Sequence, residues 1–149
     1  MMIRKRIGRR RCGAVVVETA MVILLMTSFV FAIFEYGRLM MDWSLLNNAA
    51  QEGCRYALAN NTSTTISTDV QGIVTGFMAG QTASFQNFAV TVTGMHQGVS
   101  TSVNNLGPGD PITVTVSGTY KFMNIIPIAH MPTSWVMSSA VTMLCEGGT

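Results

Sequence analysis

Charge is scarce in this chain. Only 11% of its 149 residues are charged, against roughly 25% in an ordinary soluble protein. With 48% hydrophobic residues, such a chain fits a membrane protein better than a cytosolic enzyme. The charge it has is unevenly placed. Arg4, Lys5, Arg6, Arg9, Arg10 and Arg11 hold six of the nine basic residues. From Ala14 onward, Arg38, Arg55 and Lys121 stand against seven acids, a sum of −4. A basic tail alone is compatible with nucleic acid. This one abuts an apolar run, the order of parts that keeps a basic segment on the cytoplasmic side of a membrane. No basic loop follows residue 13, so no nucleic-acid partner is expected.

Catalytic signatures are missing as well. There is no G-x-S-x-G, P-loop or paired metal motif. His96 and His130 fall in separate expected loops, with no Cys or acid at ligand spacing. The serines and threonines cluster in expected strands and linkers, where β-propensity accounts for them. The expectation is a protein that is not an enzyme and carries no cofactor or metal. Proline is absent from Ala14 to Asn60, so nothing there forces a helix to stop.

The apolar run spans Ala14 to Phe34, 21 residues, or about 31 Å as a helix. A bilayer's hydrocarbon core is about 30 Å thick. The run exceeds the usual core of about 7–15 residues in a cleaved secretory signal, although Val30-Phe31-Ala32 weakly satisfies the small-residue rule for such cleavage. One span is expected, with the N-terminus cytoplasmic and everything after Tyr36 on the far side.

Glu18 is the one charge inside the run. A carboxylate in a membrane helix costs a few kcal/mol on insertion scales and calls for a partner or a task. Either it snorkels to the interface or is protonated, or it has such a task. Its spacing bears on the choice. A cut after Gly13 would make Ala14 the first residue and Glu18 the fifth.

That arrangement, Arg9-Arg10-Arg11-Cys12-Gly13 followed by Ala14 to Glu18, resembles a type IV prepilin signal. The resemblance implies a membrane aspartyl peptidase that cuts after Gly13 on the cytoplasmic side. Cutting frees an α-amino group of ordinary pKa about 7.7–8.0. The Glu of one subunit then meets the new amine of a neighbour, because opposite charges in lipid are stable mainly as pairs. The next stretch narrows the family. Glu35-Tyr36-Gly37-Arg38 matches an E-x-G-R pattern. Asn48-Ala49-Ala50-Gln51-Glu52-Gly53-Cys54-Arg55-Tyr56-Ala57 matches N-A-A-x-x-G-x-R-Y-A. Together they are similar to the TadE-like family, pseudopilin-type proteins of tight-adherence pili. The likeness covers residues 9 to 60. It departs at Cys12, which intrudes before the Gly, at Thr19, where major pilins often carry an aromatic, and at Cys54, where Ala is usual.

The residues also read without the family. Tyr36 and Trp43 suit a membrane interface. Glu35 and Arg38, three apart on a helix, can pair, and Arg38 can reach phosphate headgroups. Glu52 and Arg55 read as a solvated pair. One long helix is expected, with Gly37 a candidate bend. Ala49, Gly53 and Ala57 recur every four residues and form a smooth packing face. The preferred reading is that this face covers the chain's own sheet; the other is that a neighbouring backbone approaches it.

Asn60 to Thr68 reads as a polar linker. Thr68-Asp69-Val70-Gln71 resembles a capping box, and Val70, Ile73, Val74, Phe77 and Met78 follow at helix spacing toward Gly80. Phe88 to Thr93 and Ile112 to Phe122 alternate with the period of half-buried antiparallel strands. Leu106 to Pro111 is an expected turn, Asn124 to Ser134 a loop, and Trp135 to Cys145 a last strand. Cys12 would leave with the leader. Cys54 and Cys145 are either a disulfide, worth about 4 kcal/mol over so long a loop, or two buried thiols.

The expected fold is α+β: a single long N-terminal membrane-spanning helix as a pilin-like spine, then a small antiparallel sheet with a short helix. It divides into a basic leader (1–13), a transmembrane helix (14–36), a periplasmic extension of that helix (37–60) and a small soluble domain (61–149). The expected function is a TadE-like pseudopilin or minor pilus component in the inner membrane. Its expected partners are the bilayer, a prepilin peptidase and other pilus or secretion-system subunits. The alternative is an uncleaved single-pass anchor carrying a periplasmic domain of an envelope or secretion complex.

Overall fold

The computed structural model describes residues 12–78, 80–123 and 133–145. They fall into two compact units that divide between Gly37 and Arg38. The first is the N-terminal part of helix α1 (Cys12–Ala59), which is unbroken through Gly37. The second holds the rest of α1, a short helix α2 (Ile66–Phe77), and a four-stranded antiparallel sheet. The fold class is α+β, with the long apolar helix first and the small sheet after it.

The sheet order is β2-β1-β3-β4, from β1 (Phe85–His96), β2 (Val99–Thr101), β3 (Pro111–Lys121) and β4 (Ser134–Leu144). On β3 the alternation is complete: Ile112, Val114, Val116, Gly118 and Tyr120 are buried, and the residues between them are half-exposed. This inner face meets Leu46, Ala49, Ala50, Cys54 and Ala57 of α1 and Ile66, Val70 and Val74 of α2. Each buried large aliphatic side chain contributes about 1.5–3 kcal/mol relative to exposure.

Three details differ from the sequence expectation. Helix α2 begins at Ile66, before the Thr68 box, because Thr65 Oγ1 donates to Asp69 Oδ2 at 2.8 Å and the turn closes earlier. Of its expected core residues, Ile73 and Phe77 are exposed, while Ile66 takes a core position instead. Strand β2 was not expected. It returns through Gln97 (φ 51°) and Gly98 (φ 81°), a pair of left-handed residues that makes the tight hairpin turn. Nothing in a Gln-Gly pair signals that turn as strongly as Asn-Gly does. Strand β1 is longer than the alternation indicated and carries a bulge between Gln86 and Ala89, with Asn87 at φ 53°. The expected loop Asn124 to Ser134 lies almost wholly outside the described residues.

Gly53 sets the distance between helix and sheet. A Cβ there would stand 2.7 Å from Val74 Cγ2, 3.2 Å from Val70 Cγ1 and 3.4 Å from Val114 Cγ1. Three β-branched side chains close this site, and they are stiff at χ1. Two effects compete in Gly53→Ala. Helix propensity favours Ala by about 1 kcal/mol, and overpacking costs about 1–3 kcal/mol. We expect overpacking to win. Thermal unfolding of the full chain in detergent micelles should show a midpoint lower by about 4–8 °C per kcal/mol lost. Gly37→Ala, where no atom lies within 4 Å of the added carbon, should not lower it.

Candidate functional site

The membrane-side unit is a helix turned wholly outward. Its large apolar side chains, from Val15 and Val16 to Ile33 and Phe34, are all exposed. It belongs to the one helix among the described residues that is long and apolar enough to cross a membrane, and its apolar window has no part buried inside the protein. In lipid every polar group needs an internal partner. The hydroxyls here have one. Thr19, Thr27 and Ser28 donate to the carbonyls of Val15, Ile23 and Leu24, each at 2.8 Å and one turn back. Glu18 is exposed and lies one turn from Ala14, on the same side of the helix. Gly13 and Ala14 are exposed. The basic residues of the leader lie outside the described residues.

At the junction, Tyr36 is exposed, and Glu35 and Arg38 are half-buried. Arg38 places its guanidinium 5.7 Å from the centre of the Tyr120 ring, a cation–π contact of about 0.5–1 kcal/mol where partly exposed. One turn on, Asp42 is only 5% exposed. The sequence reading passed over Asp42, because a single acid at a helical position looks like a solvated one. Its spacing of four residues from Arg38 is visible in the sequence, but that spacing does not encode its burial.

Ala49, Gly53 and Ala57 are buried against the chain's own α2 and β3. Cys54 and Cys145 are both buried and unbridged. Cys54 instead donates its thiol hydrogen to the Ile112 carbonyl, with sulfur and oxygen 3.6 Å apart. Glu52 and Arg55 are both exposed.

A polar cluster that the sequence did not announce sits at one end of the sheet. His96 Nδ1 lies 2.5 Å from Asp110 Oδ2, and the same oxygen accepts the Gly107 N–H at 2.7 Å. The loop's backbone then joins β4: Gly109 N–H donates to the Cys145 carbonyl and Cys145 N–H to the Asp110 carbonyl, both at 2.8 Å. So the loop ties the end of β1 to the end of β4. The two residues are 14 apart in sequence, and the β1–β3 pairing, with Gly94 opposite Ile112, brings them together. No group of three or more potential metal ligands occurs among the described residues. His130 lies outside them.

The His96 hydrogen bond, and secondarily the Gly107 N–H, hold the Asp110 carboxyl below the usual carboxylate range. A carboxylate lowered in the folded state stabilises above its unfolded pKa of about 3.9, and this is lost as pH falls through the lowered value. Amide protection at 106–110, taken relative to the intrinsic exchange rate at each pH, should therefore fall as the solution is acidified below about pH 4. Asp110→Asn should exchange faster at neutral pH and lose that acid dependence.

No curated protein and no solved structure matches the chain. The family comparison does find a match, and it falls within the helix just described. It begins at the exposed Gly13 and ends at Arg55, short of Ala57 on the buried small-residue face. Residues 13–55 match the family described as TadE-like protein, so this stretch of α1 is similar to that family.

Proposed function

We propose that the chain is a TadE-like minor pilus component, cut after Gly13 by a prepilin peptidase and assembled with other subunits into a tight-adherence pilus. At family level the TadE-like match supports a pilus-associated, pilin-type structural protein rather than an enzyme. One observation carries the finer reading. Gly13, Ala14 and Glu18 share an exposed helix whose Thr19, Thr27 and Ser28 hydroxyls are satisfied within the helix.

Among the described residues no partner for Glu18 is found. After cutting, Ala14 would carry an ammonium group one turn from Glu18. The two are better joined between neighbouring chains, where each amine meets the next chain's carboxylate and helices are set in register. The peptidase needs a small residue before the cut, because bulk there would obstruct approach to the backbone, and Gly13 provides it. In this reading the chain sits in the inner membrane with its N-terminus cytoplasmic. Arg38 and Tyr36 stand at the outer surface, and the sheet domain is presented beyond it.

The competing reading is an uncleaved anchor. It draws on the burial of Ala49, Gly53 and Ala57 inside the chain's own domain, which leaves that stripe no role between subunits. Glu18→Ala separates the two. The pilus reading expects unchanged membrane levels and at least about a tenfold fall in incorporation, since an unpaired charge in a buried pair costs about 3–5 kcal/mol. Pulse-labelled membranes and sheared pili, probed for the chain, give both quantities. Incorporation equal to the parent chain's would remove the pairing role. Gly13→Leu should leave full-length precursor in the membrane.

A further inference from the structure

We infer that the thiols of Cys54 and Cys145 are a modification site: in its working compartment the folded chain carries them as a disulfide, which fastens helix α1 to the end of β4. The inference rests on the part of the proposed function that puts the sheet domain beyond the membrane, and not on cleavage after Gly13.

Both cysteines belong to the unit that begins at Arg38 and to its one core cluster. They approach each other from facing elements. Cys54 lies on the side of α1 that is buried against the sheet, and its thiol meets the Ile112 carbonyl at 3.6 Å. Ile112 pairs with Met143 of β4, and backbone hydrogen bonds from Met143 and Val114 reach the same sulfur. The Cys54 sulfur therefore stands over the end of the β3–β4 ladder. Cys145 is two residues beyond Met143, about 7 Å along the chain and on the same face. Its backbone is fixed there, since its N–H donates to the Asp110 carbonyl and its carbonyl accepts from Gly109, both at 2.8 Å. Its side chain turns inward, for Cys145 is only 4% exposed. Burial above all, with the neighbouring Cys145 as a further cause, pushes the Cys54 thiol up.

Burial also selects the partner. Cys54 is 0% exposed, so a second chain cannot reach its sulfur. Cys12, the third cysteine, belongs to the other unit and to the cytoplasmic side of the proposed span. Beyond the membrane the compartment is oxidising, and disulfides form and persist there. The structure holds both residues as thiols, the form from which the bond is made.

The route is open at one end. Leu58, Gly109, Met143 and Cys145 line a cleft that does not include Cys54, so Cys145 reacts first. Its thiolate attacks the disulfide of a thiol oxidant, which gives a mixed disulfide and releases one oxidant thiolate. The Cys54 thiolate then attacks the Cys145 sulfur, and the second oxidant thiolate leaves. Two electrons pass from the cysteines to the oxidant, and the two protons they give up end on its two thiols. The product adds a covalent tie where the chain already holds β4 to α1 by a weaker one, the hydrogen bond that Ser139 donates to Asn47.

Two measurements on the full chain test this. In the first, the reduced chain in detergent micelles meets oxidised glutathione without denaturant, remaining thiols are blocked with N-ethylmaleimide, and the digest is weighed. In the second, membranes of the producing cell are quenched with N-ethylmaleimide before lysis and digested in the same way. Both should yield a peptide pair joined through Cys54 and Cys145. Reduction should also lower the thermal midpoint in micelles by at least about 10 °C, and should leave that of the Cys54→Ala, Cys145→Ala double variant unmoved. Glutathione held on Cys145 without a bridge, blocked thiols at both positions in either digest, or an equal fall in the double variant would overturn the proposal. Protease added outside spheroplasts separates this failure from that of the proposed function. Blocked thiols in a domain that the protease reaches overturn the bridge alone, and in a domain that it spares they overturn the orientation as well. A bridge in a chain that retains Met1 supports the inference and removes only the cleavage.

Discussion

One uninterrupted helix has to satisfy two solvents, and the rest of the molecule is arranged around that demand. In its N-terminal part α1 turns every apolar side chain outward and returns its hydroxyls to its own backbone. That is what lipid requires, since no water is there to satisfy a stray polar group. Beyond Arg38 the same helix is buried along one side against a sheet, where the requirement is close approach rather than apolar bulk. Leu46 gives way to Ala49, Ala50, Gly53, Cys54 and Ala57, and the helix sinks to within contact of Val70, Val74 and Val114. The change in side-chain size along α1 marks the change of environment.

This arrangement decides which surfaces remain for other molecules. The small-residue stripe is used up inside the domain. The sheet's inner face is filled by α1 and α2, and its far end is tied down where the Gly107–Asp110 loop bonds to His96 and to Cys145. Among the described residues, what remains open is the membrane helix, with Glu18 on it, and the outer edges of β1 and β4.

Much of this was legible in the sequence, and the legible parts share a cause. The long helix followed from an apolar run of bilayer length and the absence of proline through Asn60. Strand β3 followed from strict alternation, because its inner face is wholly buried and its outer face is not. The misses are equally physical. The β1–β2 hairpin turns on Gln97 in a left-handed conformation, which glutamine does not advertise. Helix α2 starts early because of a single hydroxyl–carboxylate bond at Thr65. Asp42 and the His96–Asp110 pair depend on tertiary placement, which local spacing does not encode. The stripe at Ala49, Gly53 and Ala57 was visible as a packing face with the chain's own sheet as the preferred partner, but the share that α2 takes in covering it was not. Only the position of α2 and β3 identifies it.

The central claim is that Gly13–Ala14 is a processing junction and that the helix beginning there is what enters the assembly. The most direct test is the intact mass of the chain purified from membranes of the producing cell. The account predicts a mature chain whose first residue is Ala14, with residues 1–13 removed. A mass that retains Met1 through Gly13 would contradict it, and would leave a membrane anchor in which Glu18 has no amine to meet.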